Sequence, residues 1–205
     1  MIHEHVWQPV AGARRTLLML HGTGGDEHDL VPLAAMLDPR ANVLSPRGNA
    51  LENGMPRFFA RHGPGRLDLA DLARRTRELA AFVREAVGSY RFAPEDVVVV
   101  GFSNGANIGA ALLFEEPDVL AGAILIRAML PYRPPAAPRV AGKRVLLLAG
   151  ERDPYSQPEA TEALAAILRD GGAVVEVHYA KAGHELTPRD VDVARRWLAD
   201  RPQGS

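Results

Sequence analysis

Four consecutive valines, Val97–Val100, run straight into Gly101-Phe102-Ser103-Asn104-Gly105. A run that is apolar at every position has no polar face, so as a strand it needs cover on both sides. The residues that follow, Asn104–Phe114, carry a helical pattern. A strand buried on both faces and continued at once by a helix belongs to a parallel sheet with helices above and below it.

The rest of the chain repeats that alternation. Thr16–Leu20, Asn42–Ser45, Gly122–Ile126, Arg144–Ala149 and Val174–Tyr179 read as strands. His5–Val10 is expected to add one more, in a hairpin with the first of these across Ala11–Ala13. Helices are expected over His28–Leu37, Leu67–Val87, Gln157–Arg169 and Arg189–Leu198. In the second of these, Leu69, Leu72, Arg75/Thr76, Leu79, Phe82 and Val83 share one face. Ser156 with Glu159 forms a capping-box pattern. Thr187 sets a capping hydroxyl before a first-turn proline. The expected fold is α/β, a mostly parallel doubly wound sheet. No repeat or linker divides residues 1–205, which read as one domain. The Pro-rich segment Pro131–Arg139 reads as a surface loop, and the tail Asp200–Ser205 as frayed.

Composition narrows the function. The formal net charge is −1, and the only lysines are Lys143 and Lys181. The arginines are scattered among acids, which favours a mixed solvated surface over a nucleic-acid or membrane-binding patch. There is no cysteine, which excludes disulfides, thiolate metal sites and a thiol nucleophile. No apolar run approaches the roughly 18 residues of a membrane span, and the start, MIHEHVW, has no apolar signal core. A cytoplasmic protein is expected.

The segment Gly101–Gly105 fits G-x-S-x-G at a strand-to-helix turn, the context that makes the pattern a nucleophile elbow. Serine at neutral pH needs a base. Of seven histidines, His184 lies in the loop between the last strand and the last helix, where a base belongs in a Ser…Asp…His order. Asp153, just beyond the strand before it, would orient the imidazole, with Glu151 as the rival acid. The order Ser103, Asp153, His184 agrees with the α/β-hydrolase arrangement. His21, in LMLHGTGGDEHDL, reads as a brace for a loop that supplies half of an oxyanion hole. The backbone N–H groups of Thr23 and Asn104 are the candidate donors. A phosphate-binding reading of that loop lacks the Gly-Lys-Ser/Thr ending. A metal reading from His21, Asp26, His28 and Asp29 fits no common zinc spacing.

Taken in order, LHGTGGDEHDL, SPRGN, PRFF, GFSNGANI and GERDP…GH resemble the bacterial phospholipase/carboxylesterase family of α/β-hydrolases. The nearer likeness is to its small carboxylesterase branch with the hydroquinone-resistance hydrolases; acyl-protein thioesterases are more distant. The likeness runs from about Val6 to Leu198. It implies a serine esterase without metal or organic cofactor, with Ser103, Asp153 and His184 as triad and Thr23 and Asn104 as oxyanion donors. It is also compatible with a homodimer. The thioesterase branch often carries glutamine after the nucleophile, where this chain has Asn104.

The expected activity is hydrolysis of small, short-chain or aryl carboxylic esters. Only 17 residues, Arg127–Lys143, join two strands beside the site, too few for a large cap domain. Met55, Phe58 and Phe59 would line an acyl or aryl pocket, with the alternative that one phenylalanine packs into the core. Met129, Leu130 and Tyr155 would reach its rim. Arg57 and Arg127 would bind a substrate carboxylate or, the preferred reading, form structural ion pairs. The competing functions are a thioesterase or lysophospholipase-type hydrolase with the same triad, and a non-catalytic binding protein of the same fold.

Overall fold

A computed structural model describes residues 2–63 and 65–200. The tail residues Arg201–Ser205, expected to fray, lie outside the described residues. In chain order the strands are β1 (His5–Gln8), β2 (Thr16–Leu20), β3 (Asn42–Pro46), β4 (Ala50–Glu52), β5 (Met55–Arg57), β6 (Arg61–Gly63), β7 (Arg66–Leu67), β8 (Val97–Phe102), β9 (Gly122–Ile126), β10 (Arg144–Gly150) and β11 (Val174–Ala180). The helices are α1 (Val31–Leu37), α2 (Leu69–Tyr90), α3 (Asn104–Glu115), α4 (Pro158–Asp170) and α5 (Pro188–Ala199).

Seven strands form the central sheet, in the order β1-β3-β2-β8-β9-β10-β11. All neighbours are parallel except β1 with β3. β4 pairs with β5, and β6 with β7, as two small antiparallel ribbons outside the sheet.

The four valines explain themselves here. Val97 and Val99 pack into one core with Leu18, Leu20, Leu79, Phe82 and Leu164, under α2, α3 and α4. Val98 and Val100 pack into a second core with Leu17, Met19, Leu33, Trp197 and Leu198, under α1 and α5. Successive side chains of a strand point to opposite faces, so each central strand feeds both cores. No helix among the described residues is long and apolar enough to cross a membrane.

Several expectations are corrected. β1 pairs with β3, not with β2, because β3 and β8 already occupy both flanks of β2. α1 begins at Val31 rather than His28; His28 lies in a turn in which its N–H donates to Asp26 Oδ1. α2 is capped by Asp68, whose side chain accepts the Asp71 N–H, and it extends to Tyr90. Of its expected apolar face, Leu72, Thr76, Leu79, Phe82 and Val83 are buried, while Leu69 is exposed. Ser156 does not cap α4. That helix starts with Pro158 after Gln157, one residue too late for Ser156, whose hydroxyl instead donates to Ala128 O. Thr187 does cap α5, in a reciprocal box with Asp190.

Candidate active site

The parallel strands end together on one side of the sheet, where ligands of open α/β sheets bind. Ser103 stands there between β8 and α3, with φ 53° and ψ −112°. Such backbone strain in a residue with a Cβ costs of order 1–3 kcal/mol and persists only where the surroundings enforce it. The flanking glycines show how. A Cβ on Gly101 would stand 2.6 Å from Gly105 O, and one on Gly105 only 2.0 Å from Leu20 O. α3 therefore presses against β2 and β8 more closely than any side chain allows. The Ser103 N–H donates to Ile126 O at 2.9 Å, which ties the turn to β9.

Ser103 Oγ lies 2.8 Å from His184 Nε2, and His184 Nδ1 lies 2.8 Å from Asp153 Oδ2. Asp153 is buried, and its other oxygen accepts the N–H groups of Tyr155 and Ser156. Of the two acids left open by the sequence, Asp153 meets the imidazole, whereas Glu151 is exposed. The His184 ring is partly covered by Phe102 at 5.5 Å and by the edge of Tyr155 at 5.0 Å. A carboxylate that holds Nδ1–H leaves Nε2 free to accept a hydroxyl proton, which is what a nucleophilic serine requires.

Opposite His184, the loop after β2 meets the start of α3. Among the described residues, neither the Thr23 N–H nor the Asn104 N–H donates to another group. At the N-terminus of α3 the helix dipole adds to the attraction for negative charge. His21 braces this loop: its Nδ1–H donates to Gly22 O at 2.6 Å, and its Nε2 accepts the Gly48 N–H at 2.9 Å. That pattern needs the neutral ring. Burial holds the His21 imidazole below the usual histidine range, against the smaller opposing effect of the Gly22 carbonyl.

The segment 55–59 holds both donors in place. The Gly24 N–H donates to Pro56 O, Arg57 Nη1 donates to Thr23 Oγ1 at 2.7 Å, and the Phe58 N–H donates to Asn104 Oδ1 at 2.8 Å. Arg57 also pairs with Glu52, so it is engaged as an internal ion pair. Phe58 and Phe59 are both buried, at 1% and 0% exposure. The expected contact with substrate does not hold for either ring, because neither has surface to present; Phe58 packs on the His21 ring instead. Met55 is exposed and leans over Gly24. Tyr155 is exposed with its ring edge against His184. Met129 and Leu130 line a concavity of about 350 Å³ with Leu67 and Leu69.

One polar residue escaped notice in the sequence, and Arg127, expected there in an ion pair, pairs with Asp190. Asn107, buried on α3, accepts the Met129 N–H at 2.8 Å and so fixes the loop after β9. Its only signal was an amide among small residues on a helix apolar all round. Arg127 is wholly buried and bonded to the loop that carries His184. Two concavities of about 480 and 580 Å³ lie by Arg14, Arg15 and Trp197, at the opposite ends of the strands. Neither is lined by a serine or histidine. Among the described residues no cluster of His, Cys, Asp and Glu is arranged to hold a metal ion.

The family model for phospholipases and carboxylesterases matches residues 1–200. The chain is 49% identical over 197 residues to the candidate hydrolase MhqD of Bacillus subtilis (strain 168), covering 96% of this chain and 98% of that one. Its structure superposes on the crystal structure of the Bacillus cereus carboxylesterase with a TM-score of 0.94 and 44% identity, over 97% and 94% of the two chains. A carboxylesterase from Mesorhizobium loti gives a TM-score of 0.86 at 34% identity, over 92% of this chain and 90% of that one.

Proposed function

The chain belongs to the phospholipase/carboxylesterase family and is a carboxylic ester hydrolase; we propose that it is a serine esterase of small, short-chain or aryl esters that works through an acyl-enzyme. The observation that carries this reading is the unbroken chain from Asp153 through His184 to Ser103, 2.8 Å at each step, beside two backbone N–H groups that donate to no other group among the described residues.

In this mechanism Ser103 Oγ attacks the ester carbonyl as His184 Nε2 takes its proton. The carbonyl oxygen gains negative charge and is held by the N–H groups of Thr23 and Asn104. Donors already aimed at a developing charge need no reorganisation as it forms. Asp153 holds the ring in one tautomer and stabilises the imidazolium. His184 then gives its proton to the departing alcohol. Water, deprotonated in turn by His184, attacks the acyl-serine and frees the acid.

The surroundings support a small substrate. The connection from β9 to β10 is 17 residues and carries no helix or strand, so no cap encloses a long acyl chain. Met55 beside Gly24 and Tyr155 beside His184 supply exposed apolar surface, which suits a short acyl or aryl group.

The test is a rate series on p-nitrophenyl acetate, butyrate and octanoate and a matched butyryl thioester, with Ser103→Ala beside it. High rates on acetate and butyrate that collapse at octanoate and vanish in the variant are expected. Ser103→Ala within tenfold of the parent would overturn the mechanism. Preference for the thioester or the long chain would overturn the substrate class.

A further inference from the structure

We infer that Arg127 is a positioning residue for the general base, a buried clamp that sets the place of His184 relative to Ser103; this rests on the triad reading above. Arg127 follows β9 directly, with φ 57°. That left-handed conformation is uncommon for a residue with a side chain. It turns the chain away from the sheet at the point where Ile126 O holds the Ser103 N–H.

The side chain has no exposed surface, so it is closed to a substrate carboxylate. Its five donors are all directed inward. Nε donates to Gly183 O at 3.1 Å and Nη2 to Glu185 O at 2.8 Å. These are the carbonyls on either side of His184. Nη1 donates to Leu148 O at 2.9 Å, near the end of β10. Both terminal nitrogens meet the Asp190 carboxylate, Nη2 at 2.7 Å and Nη1 at 3.3 Å.

Asp190 is itself buried, and the same oxygen accepts the N–H and hydroxyl of Thr187. One guanidinium thus joins the strand beside the nucleophile, the strand before the acid, the loop of the base and the first turn of α5. A planar fork with fixed donor directions suits that task; an ammonium makes the charge contact but cannot reach four acceptor groups spread over three elements. Gly150 completes the fit, since a Cβ there would stand 2.2 Å from Gly183 O.

A purely structural ion pair and a positioning clamp predict different kinetics. Arg127→Lys keeps a cation opposite Asp190 and is the main variant; Arg127→Met removes the clamp entirely. Arg15→Met is the control, because Arg15 pairs with Asp38 and with Leu198 O at the far ends of the strands. Each is assayed on p-nitrophenyl butyrate with the folded fraction fixed by circular dichroism, alongside Ser103→Ala. For Arg127→Lys we expect a folded protein with kcat lowered about 10²-fold, the cost of a misplaced catalytic group, and KM little changed. Arg15→Met should lose stability with kcat per folded molecule intact. Wild-type kcat in Arg127→Lys, or a kcat loss in Arg127→Met that matches only its unfolded fraction, would overturn the clamp. Turnover that survives Ser103→Ala would instead overturn the triad reading on which it rests.

Discussion

The amide oxygen of Asn104 accepts the backbone N–H of Phe58 at 2.8 Å, so the residue after Ser103 also anchors the segment that steadies the loop after β2. Both partners are buried. Asn104→Ala leaves the Phe58 N–H without a partner in a place water does not reach. Such a group costs about 1–3 kcal/mol. We expect a urea midpoint lowered accordingly, and a kcat that falls although the backbone N–H of residue 104 remains. Unchanged stability would mean that the segment finds another acceptor.

Asp153→Asn tests the orienting carboxylate. The amide has nearly the same shape but favours the wrong imidazole tautomer, and in a serine triad that change costs about 10⁴-fold in kcat. The expected variant is folded, binds ester with little change in KM, and turns over at about that fraction. A loss below tenfold would move the orienting role to another group.

Gly105→Ala tests the close approach of α3. The new Cβ would stand 2.0 Å from Leu20 O, and the obstacle is backbone, not a flexible side chain. Overpacking of this kind costs about 3 kcal/mol. The helix start must shift, and with it Ser103. Thermal unfolding and esterase rate should fall together in this variant.

The fold was legible because its signal is periodic and strong. Runs such as Val97–Val100 have no polar face, and α2, α4 and α5 have one. The candidate nucleophile was legible because the glycines on either side of the serine have a steric cause, the close approach of α3 to β2 and β8. Asp153 and His184 followed from their places after successive strands. What escaped was decided across the chain. The pairing of β1 with β3 depends on which sheet edge is free, and no local pattern records that. Ser156 had the right spacing for a cap, but its hydroxyl is taken by Ala128 O. Phe58 and Phe59 share a loop with Met55, yet only the methionine is at the surface. An ion pair was expected of Arg127, but its bonds to the carbonyls of Gly183 and Glu185 were not, because those residues lie more than fifty positions away.

Acid should weaken the folded state before the carboxylates titrate. Burial is the main cause that holds the His3 and His21 imidazoles below their ordinary value of 6.5. Between that value and the lower folded one, the unfolded chain binds more protons, so stability rises with pH there. It is lost as pH falls from 6.5. Asp71 and Asp118, held below the usual carboxylate range, lose their share only at lower pH. Urea midpoints should therefore drop from pH 7.5 to pH 5.5, and the drop should be smaller in His3→Asn. An equal drop would place the effect elsewhere.

The short connection between β9 and β10 carries a chemical consequence for the acyl-enzyme. With no cap from that connection, an acyl group on Ser103 in the proposed mechanism would be open to solvent, and any small nucleophile there would compete with water for it. The partition is then governed by concentration and intrinsic reactivity instead of by enclosure. Added methanol should divert acyl groups into methyl ester in proportion to its concentration. On the proposed mechanism, such a site would also act as a transferase whenever an alcohol is abundant.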